Sequence, residues 1–175
     1  IDMKADAIDP WLLQLDTGFV SPLRRSAEGP FANSPVWSPD GQEIFFGDLD
    51  GLHSLRPLEA GAKESRWPMG TIWPQSISPD GQSLLVTGRT ATTGSDLLLV
   101  PLTGERKPVE FLQTSAVEIA GRIAPDGQTV AYVSDESNRR EVYVEAFPKR
   151  GNKARVSDNG GGYPLWSADA KALYY

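Results

Sequence analysis

The chain has no cysteine and only one histidine, His53, among its 175 residues. The lack of cysteine excludes disulfides and thiolate metal sites, and one histidine cannot supply the usual ligand set of a zinc ion. No Gly-x-Ser-x-Gly motif is present, so the nucleophile elbow that would accompany a catalytic histidine is missing. We therefore expect no catalytic residue, no cofactor and no metal site, and we interpret His53 as a half-exposed strand residue.

Positive charge is scarce, and long apolar runs are absent. The 17 Lys and Arg residues are outnumbered by 23 Asp and Glu residues, which leaves a net charge of −6. This balance argues against nucleic acid as a partner, because such binding depends on basic side chains that neutralise phosphates. The longest strongly apolar run, residues 97–100, is far shorter than the roughly 20 residues of a membrane helix. The sequence therefore predicts neither a nucleic-acid partner nor direct membrane insertion.

What the chain does have is a recurring turn phrase, whose aspartates are separated by 40, 46 and 43 residues. Proline sets φ for the first corner of a type I turn, aspartate hydrogen-bonds the backbone two residues on, and glycine supplies positive φ. The copies are Ser38-Pro39-Asp40-Gly41, Ser78-Pro79-Asp80-Gly81, Ala124-Pro125-Asp126-Gly127 and Ser167-Ala168-Asp169-Ala170. Because the last copy lacks the proline and the glycine, we expect its turn to be looser or differently shaped.

A second series of turns runs out of phase with the first. Its glycines follow apolar runs and are Gly18, Gly61, Gly104 and Gly151. Two turns in each repeat of about 40–45 residues describe a four-stranded antiparallel unit, the blade of a β-propeller. No segment has a helical period over three turns. The predicted fold class is therefore all-β, a β-propeller whose blades have strands A to D.

The phase of the repeats predicts a single domain, 1–175, with three whole blades and a half blade at each end. The leading half contributes strands C and D, and the trailing half contributes strands A and B. Open sheet edges favour association, so we prefer a piece of a ring of six to eight blades. Closure of the two halves into a four-bladed ring, and pairing of two chains, are the alternatives. The predicted units are the half blade 1–33, the blades 34–72, 73–115 and 116–160, and the half blade 161–175.

Candidate binding residues lie where the B–C loops and D–A crossovers are expected to open onto one face. Loops on a rigid scaffold commonly carry binding, and aromatic and arginine side chains are usual anchors of interfaces. Trp37 and Trp166 precede the turn phrase and are expected to pack between blades. The acids Asp48 and Asp50 are interpreted as turn residues rather than as a calcium site. The predicted partner-binding residues are Trp67, Trp73, Arg89, Asp135, Glu136, Arg139, Arg140 and Tyr163.

Several phrases together resemble a known family. They are Pro35-Val36-Trp37-Ser38-Pro39-Asp40-Gly41 and the segments 93–97, 106–108, 131–137, 141–144 and 160–166. The repeats resemble the PD40, or WD40-like, repeats of the TolB-type propellers. The chain is also similar to the C-terminal propeller region of acidobacterial transmembrane serine/threonine kinases, in which the propeller is extracytoplasmic. This resemblance implies a periplasmic or extracytoplasmic location and a protein or peptide partner, while the kinase motifs themselves are absent from these residues.

Three functions are compatible with the sequence. The preferred one is a non-catalytic binding module, the sensor part of a larger receptor kinase. The second is an accessory propeller that gates a prolyl-oligopeptidase-type peptidase, whose catalytic domain would lie elsewhere. The third is a structural subunit that assembles through its open half blades, since strand addition at a free edge is an ordinary mode of association. In each case we expect the chain itself not to be an enzyme.

Overall fold

The computed structural model describes residues 10–23, 33–59, 61–90 and 93–175. Most of the predicted half blade 1–33 and the middle of the loop after Arg89 lie outside the described residues. Within them, every regular element is a β-strand. The strands are β1 Trp11–Leu13, β2 Val20–Pro22, β3 Asn33–Trp37, β4 Ile44–Gly47, β5 Gly51–Leu55, β6 Ser65–Pro68, β7 Ile72–Ile77, β8 Ser83–Thr90, β9 Gly94–Pro101, β10 Val109–Leu112, β11 Glu118–Ile123, β12 Thr129–Ser134, β13 Glu141–Ala146, β14 Ala154–Arg155, β15 Leu165–Trp166 and β16 Leu173–Tyr174.

The strands form three four-stranded antiparallel sheets, β3 to β6, β7 to β10 and β11 to β14, each in sequence order. A two-stranded sheet stands at each end, β1 with β2 and β15 with β16. This arrangement confirms the predicted all-β fold class of three whole blades between two half blades. We name the sheet β3–β6 the first blade, β7–β10 the second and β11–β14 the third. The number of blades in a complete ring stays a prediction.

The A–B turns have the predicted hydrogen bonds. In the second blade Gly81 N donates to Ser78 O at 2.8 Å, and Asp80 Oδ1 accepts from Gln82 N at 3.0 Å. The pKa values of Asp40, Asp80 and Asp169 are all lowered, chiefly by the serine hydroxyl two residues earlier in the chain. These carboxylates therefore hold their turns in the ionised form.

The fourth turn corrects one expectation, because it has the same shape as the others. Ala170 N donates to Ser167 O at 3.0 Å, and Asp169 Oδ1 accepts from Ser167 Oγ at 2.7 Å. Ala170 has φ 58°, close to the 70° of Gly127 at the equivalent position. The side-chain and backbone hydrogen bonds of the turn thus impose a left-handed conformation on an alanine, which we had expected to loosen the turn.

The core lies between consecutive blades, where side chains of strands B to D of one sheet meet side chains of strands A to C of the next. Its two larger clusters centre on Phe45 and Leu84, between the first and second blades, and on Leu85 and Tyr132, between the second and third. All four side chains are buried. Burial of such side chains, at roughly 1.5–3 kcal/mol each, is what joins the sheets.

Strand A interrupts its pairing with strand B in all three whole blades. The register shifts between Asn33 and Val36, between Pro74 and Ser76, and between Ile119 and Arg122. A left-handed residue, Ser34 or Ala120, stands three positions before the end of strand A in the first and third blades, and Tyr163 occupies the equivalent place before β15. In the second blade the bulge residue Gln75 accepts at its carbonyl oxygen from Arg122 Nη1 of the third blade at 2.8 Å.

The two tryptophans expected to pack between blades behave differently. Trp166 is half-buried, and its Nε1 donates to Arg122 O of the third blade at 2.9 Å. Trp37 is 44% exposed, so the prediction that it belongs to the core is wrong. Equivalent positions in the repeat therefore do not have equivalent burial.

Candidate functional site: the loop face

The B–C loops and D–A crossovers lie at one end of the blades, which we call the loop face, and the A–B and C–D turns lie at the other end, which we call the turn face. This division follows from the antiparallel order of the four strands in each sheet. Buried acids mark the loop-face end of each whole blade: Asp48, Asp96, Glu118 and Glu141.

In the first blade, Asp48 and the single histidine form a buried chain of polar side chains. Asp48 Oδ1 accepts from the backbone of Asp50 and Gly51 at 2.8 and 3.0 Å, which confirms its predicted turn role. His53 is fully buried, and its Nε2 and Nδ1 lie 2.8 Å from Asp48 Oδ2 and 2.6 Å from Glu64 Oε1. The prediction of a half-exposed His53 is therefore wrong. Glu64 stands one residue before β6, and the antiparallel pairing of β5 with β6 brings it beside His53.

In the third blade, Glu141 ties the B–C loop to the D–A crossover. Its carboxylate accepts from Ser157 Oγ, from Gly160 N at 3.0 Å and from Arg139 Nε at 2.9 Å. These donors hold the pKa of Glu141 below its usual value, with the serine hydroxyl as the largest cause. Arg139, one of the predicted binding residues, is thus already engaged, and its Nη2 also donates to Asp158 O at 2.6 Å.

Between the second and third blades the loop face contains a polar cavity of about 560 Å³, which we call the acidic groove. Two predicted binding residues, Asp135 and Glu136, line it. Asp135 Oδ1 accepts from Val117 N at 2.8 Å, and Glu136 is paired with Lys153. The residues that line the groove are Thr114, Ser115, Ala116, Asp135, Glu136 and Asn138.

Glu118, the first residue of β11, is fully buried beside this groove. One carboxylate oxygen, Oε1, accepts from the hydroxyl of Thr114, while Oε2 has no hydrogen-bond partner among the described residues. Burial raises the pKa of Glu118, and the negative charges of Asp96 and Glu136 add to that effect. Glu118 is therefore a buried carboxyl that contacts the groove lining through Thr114 and favours its protonated form.

The remaining predicted binding residues are dispersed. Arg89 and Arg140 are exposed beside B–C loops, and Tyr163 is 87% exposed before β15. Trp73 is half-buried within β7. Of the eight predicted residues, the structure brings Asp135 and Glu136 into one cavity and places Arg139 against Glu141.

Trp67 lies on β6 opposite Leu52, near the loop-face end of the strand, and is half-buried. Its ring packs against the core between the first two blades and lies 4.0 Å from the Arg106 guanidinium carbon. Arg106 lines a cavity of about 320 Å³ between the turns that begin at Ser38 and Ser78, on the turn face. Part of the Trp67 ring is therefore already covered by the second blade.

Sequence reasoning missed Thr114, Ser115 and Glu118. In the sequence these residues are marked only by a run of small and polar residues between β10 and the apolar alternation of β11, and such a run is a weak indication of a site. The antiparallel pairing of β11 with β12 in the third blade, which sets Glu118 opposite Ser134, brings this crossover next to Asp135 and Glu136.

Comparison with known proteins establishes the fold class. No family model matches the sequence. TolB from Acinetobacter baumannii superposes with a TM-score of 0.77 at 20% identity, over 93% of this chain and 41% of that one. An oligogalacturonate lyase from Vibrio parahaemolyticus gives 0.67 at 16% identity, over 94% and 51%, and a prolyl endopeptidase gives 0.62 at 14%, over 89% and 27%. At these identities the likeness concerns the fold alone.

The chain therefore has a TolB-like β-propeller fold, and it spans less than half the length of the A. baumannii TolB. Within the described residues, no group of three or more His, Asp or Glu side chains is arranged to hold a metal ion. Across the same residues, no helix has the length and apolar character needed to cross a bilayer.

Proposed function

We propose that this chain is a non-catalytic binding module that recognises a protein or peptide through its loop face. The observation that carries the proposal is the acidic groove, a polar cavity built from a B–C loop of one blade and a D–A crossover of its neighbour. Propellers hold such loops on a rigid core, so the residues are pre-organised for recognition. The exposed Tyr163, in a left-handed conformation that bulky residues rarely adopt, adds an aromatic side chain to the same face.

In this proposal the module works outside the cytoplasm, as the sensor part of a larger receptor kinase. The support is the resemblance of the segments 93–97, 131–137 and 160–166 to the propeller region of such kinases. Any phosphoryl transfer would belong to another domain, because the kinase motifs are absent from these 175 residues.

The test is selection of a peptide ligand followed by mapping of its site. A random peptide library displayed on phage is panned against the immobilised chain, and the selected peptide is titrated calorimetrically against variants. Arg140→Ala and Tyr163→Ala change the loop face, while Lys171→Ala, exposed on the turn face, is the matched control. We expect the loop-face variants to weaken binding about tenfold, the scale of one interface anchor. If the two loop-face variants bind the peptide as tightly as the Lys171→Ala control and the unchanged chain do, the proposal is refuted.

A second candidate function is the gating propeller of a peptidase. The likeness to a prolyl endopeptidase supports it, although that likeness concerns only 27% of the endopeptidase chain. The discriminating measurement is hydrolysis of a proline-containing peptide by the full-length gene product, with and without these blades. If the blades restrict the size of the peptides that are cleaved, gating replaces binding as the function.

A further inference from the structure

The turn face contains a cavity of about 320 Å³ between the A–B turns of the first and second blades, which we call the turn-face cavity. Its wall includes one cation, Arg106, which follows the C–D turn of the second blade. The equivalent cavity between the second and third blades, of about 260 Å³, is lined by Phe147 at the position of Leu102. Among the described residues that line this equivalent cavity, none is basic. The cation therefore distinguishes the turn-face cavity from its repeat.

The guanidinium of Arg106 is held in place by two aromatic rings of the first blade. Its carbon lies 4.0 Å from the centroid of the Trp67 ring and 5.6 Å from that of Phe45. Such rings attract a cation without using the lone pairs that a hydrogen bond requires. Nη1 is buried and has no hydrogen-bond partner among the described residues, although the side chain as a whole is only partly buried and contributes to the cavity wall. A fixed guanidinium of this kind is suited to receive a carboxylate.

Three carboxylates line the same cavity, those of Asp40, Glu43 and Asp80. The pKa values of Asp40 and Asp80 are lowered, first by the serine hydroxyl and then by the backbone amide that each accepts in its own turn. Both are therefore ionised at neutral pH. The charge of Glu43 acts on Arg106, whose pKa is lowered by burial and raised by that acid. The cavity thus combines one positive group with a larger number of negative groups.

This combination of charges selects the kind of ligand. A simple anion would meet the repulsion of three acids, and a simple cation would leave the guanidinium donors unused. A molecule with one carboxylate and two cationic groups complements both signs. A volume of about 320 Å³ lies at the lower end of the range for small-molecule sites, so the ligand should have the size of a free amino acid.

We propose that the turn-face cavity binds a free α-amino acid with a cationic side chain, such as lysine. The ligand carboxylate accepts hydrogen bonds from the guanidinium of Arg106, and its ammonium groups donate to the carboxylates of the two turns. The site lies at the opposite end of the blades from the loop face, so it does not depend on the function proposed there.

The probes for the test are L-lysine and cadaverine, which is lysine without its carboxylate. Each is titrated calorimetrically into the 175-residue chain at low ionic strength. Attraction by the acids alone would favour cadaverine, because it carries one more net positive charge. We expect the reverse, with lysine binding about tenfold more tightly, because only lysine pairs with Arg106.

A substitution at Arg106 ties this preference to the guanidinium. Arg106→Gln removes the cation and should abolish the preference for lysine over cadaverine. Lys107→Gln is the matched control, because the neighbouring Lys107 is exposed and its loss changes the net charge equally. This control should keep the preference. Urea denaturation of Arg106→Gln checks that the contact with Trp67 is not needed for folding, and the comparison of the two ligands on the unchanged chain needs no variant.

Three results would overturn the proposal. The first is the absence of saturable lysine binding to the unchanged chain. The second is cadaverine binding as tight as that of lysine, which would show attraction by the acids alone. The third is a preference for lysine that survives in a folded Arg106→Gln variant.

Discussion

At the scale of single residues, Ala170 shows how strongly a turn is determined by its hydrogen bonds. The alanine adopts φ 58° although only glycine is free of strain there, because Ser167 and Asp169 still make the bonds of the other copies. A non-glycine residue in this region costs about 1 kcal/mol or more.

Ala170→Gly should therefore raise the free energy of unfolding by about 1 kcal/mol. The measurement is urea denaturation followed by tryptophan fluorescence. Ala168→Gly is the matched control, since position 168 is occupied by proline in the other copies and gains nothing from positive φ. If both variants behave alike, the turn strain inferred here is absent.

Two buried glutamates on the loop face are expected to respond oppositely to pH. The pKa of Glu118 is raised by burial, so the folded state holds its proton more tightly than the unfolded chain does. Stability from Glu118 is therefore full below about pH 4.5 and falls as pH rises through the raised folded pKa. Glu118→Gln should stabilise the protein at pH 7, and the gain should vanish near pH 4.

The pKa of Glu141 is lowered, first by the Ser157 hydroxyl and then by Gly160 and Arg139. Its contribution is present above pH 4.5 and is lost as pH falls through the lowered folded pKa. Glu141→Gln should accordingly destabilise the protein at pH 7, with a smaller effect at low pH. Thermal melts of both variants between pH 3 and pH 8 test the pair, and parallel curves would contradict the assignment.

At the scale of the elements, close approach between blades depends on positions that lack a side chain. A Cβ at Gly47, at the end of β4, would lie 2.1 Å from Ile72 O at the start of β7. Strand A of the second blade thus packs directly on the first blade, and the bulge that follows in β7 leaves Ser76 Oγ to accept from Ile123 N of the third.

Gly47→Ala should destabilise the protein by about 1–3 kcal/mol, because the added methyl meets backbone that must move. Gly162→Ala is the control, since a Cβ there has nothing within 4 Å. Urea denaturation of the two variants gives the comparison. Similar midpoints would mean that the blades are less closely apposed than the structure indicates.

At the scale of the whole molecule, large apolar side chains are exposed on both two-stranded sheets. Trp11 is 65% exposed on β1, and Tyr174 is 63% exposed on the edge strand β16. Exposed edges with apolar side chains are sites of association. We therefore predict that this chain assembles through its half blades.

The 175-residue chain should therefore show a mass above 19.0 kDa that grows with concentration in light scattering on a size-exclusion column. Tyr174→Lys, which puts a charge on the edge strand, should shift the distribution toward the monomer. Leu58→Lys is the matched control, because Leu58 is 62% exposed but lies between β5 and β6. A monomer at all concentrations, or equal effects of both lysines, would argue against association through the edge.

Much of the fold was accessible from sequence because it is local. In the third blade the predicted turn Ala124-Pro125-Asp126-Gly127 lies between the observed β11 and β12, and the predicted turn glycine Gly151 lies between β13 and β14. The site was accessible only in part. Asp135 and Glu136 were singled out from one loop, but Thr114 and Ser115, which line the same cavity, lie in the crossover that leads into β11 and were not.

The sequence by itself determined the strands, the turns and the period of the blades, because each rests on residues within a few positions of one another. Proline, aspartate and glycine impose a turn through their own dihedrals and side-chain bonds, wherever the turn lies in the molecule. Only the tertiary structure decided that His53 and Glu118 are fully buried and that Trp37 is exposed. Burial and charge depend on which blade packs against which, and that is set by contacts between residues far apart in the chain.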